Sequence, residues 1–212
     1  MQKSILSVVC CAVLLVQSLN ARSSIEDELK SSSTGSVSSR FRVGYSIGVG
    51  YQGRLSGDGD TKIQGLLLEG GVYALFNPVR NFFDIEIGIS GKYNTGMSSS
   101  SSDSGEVSYY SGLKQVTLYG GIVFRFGEEG KALSVGISKA LYIDEVQSDE
   151  LKAQGYEKHD LENGIGAYLE YQTDEIGGNI FFIRAELEKI DIVSQMQTSN
   201  DIVGTILCGM KY

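Results

Sequence analysis

A strict two-residue alternation constrains this chain more than any other feature. From Phe41 onward, Phe41, Val43, Tyr45, Ile47, Val49 and Tyr51 take every second position, and Arg42, Gly44, Ser46, Gly48, Gly50 and Gln52 fill the places between. Successive side chains of a strand point to opposite faces, so a strand sorts these residues into one apolar and one polar face; a helix would scatter them. The pattern recurs seven times. Its apolar faces carry Leu66, Leu68, Val72 and Phe76; Phe83, Ile85, Ile87 and Ile89; Val116, Leu118, Ile122 and Phe124; Leu133, Val135, Ile137 and Leu141; Leu161, Ile165, Leu169 and Tyr171; Phe181, Ile183, Ala185 and Leu187; and Ile202, Ile206, Cys208, Met210 and Tyr212. In this register Glu162 lies opposite Leu161.

The connections alternate as well. Residues 77–80, 127–130 and 173–178 read as short turns, while 53–62, 94–106, 144–158 and 193–201 are longer and polar, with a serine run at 98–102. Short turns on one side and longer loops on the other are the arrangement of a membrane barrel, with both termini in the periplasm and the longer loops outside. The expected fold is therefore all-β: an eight-stranded antiparallel transmembrane up-and-down β-barrel over residues 39–212. Composition agrees, with 27 Gly, 12 Tyr and 8 Phe against a single Pro. Aromatics gather where strands should meet a headgroup layer: Phe41, Phe76, Phe83, Phe124, Tyr171, Phe181 and Tyr212 at one boundary, Tyr51 and Tyr93 at the other.

Ahead of the barrel, Lys3, the apolar run 5–16 and the small-residue end at Leu19, Asn20 and Ala21 read as a signal peptide over residues 1–21. Residues 22–38 form a polar, serine-rich lead-in with at most a brief helical turn at 25–30. Cys10 and Cys11 leave with the signal, so Cys208 stands alone and no internal disulfide can form. The formal net charge of −8 excludes a general affinity for nucleic acid.

The polar face carries charge of both signs. Arg42, Glu69, Asp84, Glu86, Arg125, Glu170, Arg184, Glu186 and Lys211 should all point inward. An eight-stranded barrel is only wide enough to be filled by side chains, and unpaired charges in a dry interior are costly. These residues therefore predict a structural ion-pair network that plugs the lumen. Lys114, Lys139 and Lys189 break the pattern by pointing outward near the outer boundary; they either snorkel to the interface or contact lipopolysaccharide phosphates.

The chain resembles the OmpA/OmpX-like family of eight-stranded outer-membrane barrels, which includes the opacity-type surface proteins. The resemblance covers about residues 40–212. It rests on strand count, loop alternation and the C-terminal run Ile206, Leu207, Cys208, Gly209, Met210, Lys211 and Tyr212, which alternates and ends in an aromatic where the family usually has Phe. It implies a bacterial outer-membrane location, contact with outer-membrane lipid and lipopolysaccharide, assembly by the barrel-assembly machinery through the C-terminal strand, a monomer, and a host or surface ligand at the external loops.

Motifs for chemistry are weak. Gly48 to Gly53 spells GxGxxG, but on a strand with no helix after it to face a phosphate. His159, the only histidine, has no hydroxyl residue close behind it to activate. Asp58, Gly59 and Asp60 supply too few oxygens for a calcium site. No catalytic, cofactor or metal site is expected. The leading expectation is a non-enzymatic envelope anchor or surface-loop adhesin. A small channel or a lipid A-modifying enzyme are alternatives, and a soluble calyx would require the two faces to be inverted.

Overall fold

A computed structural model describes residues 41–58, 61–79, 83–100, 107–126, 131–176, 179–193 and 198–212. The chain divides into Met1–Ser39 and Arg40–Tyr212. The signal peptide, the lead-in and the helical turn at 25–30 lie outside the described residues.

The described elements are β1 (Phe41–Gly57), β2 (Gln64–Val79), β3 (Phe83–Asn94), β4 (Ser98–Ser100), β5 (Val107–Tyr109), β6 (Gly112–Phe126), β7 (Lys131–Val146), α1 (Asp149–Ala153), β8 (Asp160–Ile176), β9 (Asn179–Val193) and β10 (Thr198–Lys211). Strands β4 and β5 pair as a small hairpin. The other eight close into a barrel in the order β1–β10–β9–β8–β7–β6–β3–β2.

One circuit of the ladder defines the geometry. From Leu66 the pairing runs through Tyr51, Ile206, Ala185, Leu169, Val135, Ile122 and Ile85 and returns to β2 at Phe76, ten residues further along. Every residue of that circuit is apolar and faces outward. At a rise of about 3.3 Å per residue and a tilt of about 40°, ten residues climb about 25 Å along the axis. The outward face is openly apolar, with Ile137 70 % and Leu66 67 % exposed, while Glu86, Glu170 and Arg184 on the inner face are buried. The inverted calyx is thereby overturned.

The inner face is packed through a repeated pair. Gly44, Gly88 and Gly136 each lie across the ladder from an inward tyrosine: Tyr73, Tyr119 and Tyr168 respectively. A Cβ at Gly88 or Gly136 would fall against the ring of its tyrosine. Glycine on one strand thus makes the bed for an aromatic on the next, so the inner glycines are packing residues. The same rings join Leu75, Val123 and Ala132 in an apolar cluster near the end of the barrel that holds Phe41, called proximal below.

Two sequence expectations are corrected. Leu161 points inward and is buried, and Glu162 points outward and is exposed. The cause is a register shift in β8 between Glu162 and Ile165, where Asn163 adopts φ 52°; one extra residue flips the parity beyond it. The long loop expected at 193–201 is also wrong in extent: β9 runs to Val193, β10 begins at Thr198, and Asn200 pairs with Asp191.

Candidate functional site

The lumen is layered. Nearest the proximal mouth, the Asp84 carboxylate accepts from Arg125 Nε at 2.9 Å, with Arg42 at 3.7 Å. The Arg42 side chain is 54 % exposed and sits at the rim. Deeper, Arg184 meets Glu69 at 2.8 Å and Glu170 at 2.7 Å, and Lys211 meets Glu86 and Glu170, both at 2.7 Å. Glu170 ties the two cations together. The tyrosine rings close round them, with Tyr119 and Tyr168 each 5.1 Å from the Arg184 guanidinium and Tyr73 5.1 Å from the Lys211 ammonium. Cation and ring attract through the quadrupole of the ring, more strongly when both are desolvated.

The expected network residues thus fall into an Asp84 group and an Arg184–Lys211 group. Glu186 belongs to a third pair, accepting from Lys92 at 2.6 Å and from Ser138 at 2.7 Å. Lys92 and Glu188 lie among these buried charges, although sequence reasoning left both out of the network. Their inward parity was visible; their partners, on strands far away in sequence, were not.

The other mouth, called distal, is closed by an apolar layer. Ile63, Leu113, Leu161, Ile190, Ile192 and Val203 form one buried cluster, with Ile143 against it. Above it Glu145 acts as a hub. Its carboxylate accepts from Ser111 Oγ, from Tyr156 Oη at 3.0 Å and from the His159 backbone N–H at 2.8 Å, with His159 Nδ1 at 3.1 Å. Two segments of the mouth, at Ser111 and at 156–159, are pinned to one buried carboxylate on β7. Burial and the Glu145 charge hold the Tyr156 phenol above its ordinary range. Ser111 shares the Glu145 carboxylate with His159, and the Tyr156 hydroxyl lies 3.1 Å from His159 Nδ1, so these contacts pin the loop to the mouth.

The three outward lysines are not gathered in one place. Lys114 Nζ lies 5.9 Å from the Tyr142 ring centroid, Lys139 reaches Asn163 Oδ1 at 3.3 Å, and Lys189 lies 3.7 Å from Asp191. Lys139 and Lys189 do flank the same outward residue, Ile165, from either side.

No protein-family model matches the chain, and no curated protein matches it. Solved structures do. OprG from Pseudomonas aeruginosa is 12 % identical over 81 % of this chain and 94 % of its own, with a TM-score of 0.46. AlkL, solved in lipid bilayers, is 12 % identical over 81 % of this chain and 87 % of its own, at 0.42. Ail of Yersinia pestis, in complex with the heparin analogue sucrose octasulfate, is 18 % identical over 80 % of this chain and 97 % of its own, at 0.35. OprG and AlkL are outer membrane proteins, and Ail is an attachment invasion locus protein.

Proposed function

We propose that the chain is a non-enzymatic barrel of the bacterial outer membrane, sealed along its lumen, that anchors in the envelope and presents rigid surface loops. The observation that carries this reading is the outward circuit from Leu66 to Phe76, apolar at every step and about 25 Å in height, the thickness expected of the lipid-facing band. Charges that a soluble protein would expose are turned inward and paired. The distal mouth, with its apolar layer and the Glu145 hub, then faces outward from the cell and both termini face the periplasm. The connection 147–159, held by the Glu145 hub, suits a preformed surface for a host or envelope ligand.

In this setting Lys139 and Lys189, on either side of Ile165, sit at the outer boundary and offer two cations to lipopolysaccharide phosphates, with Lys114 further round the wall. Reversing all three charges is expected to lower the lipopolysaccharide that co-purifies; an unchanged content would remove this contact. The C-terminal strand, with Tyr212 directly after it, is the proposed assembly signal.

The test of the main reading is gel mobility of protein from outer-membrane fractions, with and without boiling. A faster band before boiling supports a compact detergent-resistant barrel. A soluble protein with no shift would overturn the membrane assignment.

A further inference from the structure

Among the described residues, every buried carboxylate but one has a basic side chain within ion-pair distance. Glu69, Asp84, Glu86, Glu170 and Glu186 have theirs in the lumen, Asp201 meets Arg54 at 3.1 Å, and Glu145 meets His159. The exception is Glu188. It is 2 % exposed, and its Oε1 accepts from the Gln115 side-chain amide. Lys92 and Lys139 act on it from further away, but Lys92 is already bound to Glu186 and Lys139 reaches Asn163. A neutral amide orients a carboxylate without cancelling its charge, and an uncompensated buried charge is expensive.

Inward oxygens on Gln115 and on the positions beside it in β2, β3 and β6 lack hydrogen-bond partners. Gln115 Oε1, Thr117 Oγ1, Glu69 Oε2 and Ser90 Oγ are buried without a hydrogen-bond partner. Glu69, Lys92 and Gln115 form one inward cross-strand row on β2, β3 and β6, and Ser90 and Thr117 are neighbours in the next row. Glu188 Oε1 itself lies where a Cβ of Gly164 would be, and that Cβ would also press on Ala140. Small residues on β7 and β8 make the room into which this carboxylate extends.

That room adjoins a break in the wall. The ladder between β7 and β8 ends at Lys139 and Ile165; beyond it, residues 140–146 and 160–164 do not pair with each other. A recess of about 310 Å³ lies there, lined by Lys139, Ala140, Ile143, Leu161 and Asn163 among others.

We propose that Glu188, with the side-chain oxygens of Gln115 and Thr117, binds a monovalent alkali cation, sodium or potassium, which enters where the β7–β8 ladder is open. One uncompensated carboxylate among neutral oxygens matches a single positive charge. A calcium site would draw six to eight oxygens, several from carboxylates, and magnesium would keep most of its water. The site belongs to the closed barrel itself, whichever ligand the loops meet.

The full chain, refolded in detergent and shown to give the faster unboiled band, supplies the test. The temperature at which that band is lost is measured in sodium chloride, potassium chloride and N-methyl-D-glucamine chloride at equal ionic strength. The wild type is expected to gain stability saturably with an alkali cation and not with the bulky amine. Glu188→Gln should abolish the gain, and Thr117→Val, which keeps every charge, should weaken the apparent affinity about tenfold. Equal midpoints in all three salts would mean that the Glu188 carboxyl keeps its own proton, and would overturn the proposal. A full gain in Glu188→Gln would overturn it too. If that variant does not fold, an undiminished affinity in Thr117→Val does the same. Failure to obtain the faster band in wild type would instead count against the membrane barrel.

Discussion

Arg184 does more in the lumen than any other side chain. It bridges Glu69 and Glu170, lies between two tyrosine rings, and has Phe182 at 5.4 Å. Its planar fork can serve two carboxylates at once, which an ammonium cannot do with the same geometry. Arg184→Met leaves Glu69 buried without its cation and Glu170 with Lys211 alone, and is expected to cost about 3–5 kcal/mol in urea unfolding of the refolded barrel. Arg184→Lys should fall between the two. An unchanged midpoint in Arg184→Met would show that the network is not structural. The glycine beds give an independent measurement. Gly136→Ala drives a methyl into the Tyr168 ring and is expected to cost about 1–3 kcal/mol; exposed Gly70, with nothing near its Cβ position, offers a control for packing.

Among the elements, the upper ends of β7 and β8 stand apart. Both carry an irregularity, at Leu141 in β7 and at Asn163 in β8, and their mutual ladder stops below it. The segment joining them holds α1, whose Ser148 side chain caps the Leu151 N–H, and returns through Tyr156 and His159 to Glu145. Glu145→Ala removes the acceptor common to these contacts. Protease added to whole cells is expected to cut residues 147–159 several-fold faster in this variant, with the unboiled band unchanged. Loss of the band as well would mean that the hub supports the barrel and not the loop alone. Tyr156 adds a pH dependence with a definite sign. Its phenol holds its proton more tightly in the folded loop than in a free chain, so its contribution is complete below about pH 10 and is lost as the pH rises further. Protease sensitivity of the loop should rise there, and Tyr156→Phe should flatten that rise.

For the whole molecule, the expected behaviour is silence. Ion pairs fill the middle and proximal lumen, and seven apolar residues cross the distal mouth. An ion on this path would have to pass both a charged plug and a dry layer, each a recognised barrier to conduction. Planar-bilayer recordings of the purified barrel are expected to show no discrete conductance. A steady open level would favour the small-channel reading and would require the Arg184–Lys211 group to rearrange.

Residue parity was written in the sequence, because alternation is local: Phe41, Ile85 and Ile183 declare the outer face without reference to any partner, and Arg184 and Glu86 declare the inner one. Eight such runs with turns between them were enough to imply closure. Partnership was a different matter. Lys92 meets Glu186 and Gln115 meets Glu188 only because the sheet closes with a displacement of ten residues, which no single strand encodes. The reversal at Leu161 likewise needed the tertiary structure: Asn163 and Gly164 fit either face, so nothing in their chemistry marks the extra residue that turns Leu161 into the distal cluster. Local pattern determined which way side chains face wherever the ladder is unbroken; only closure of the barrel decided what they meet there, since side-chain contacts across a lumen depend on the register of all eight strands together.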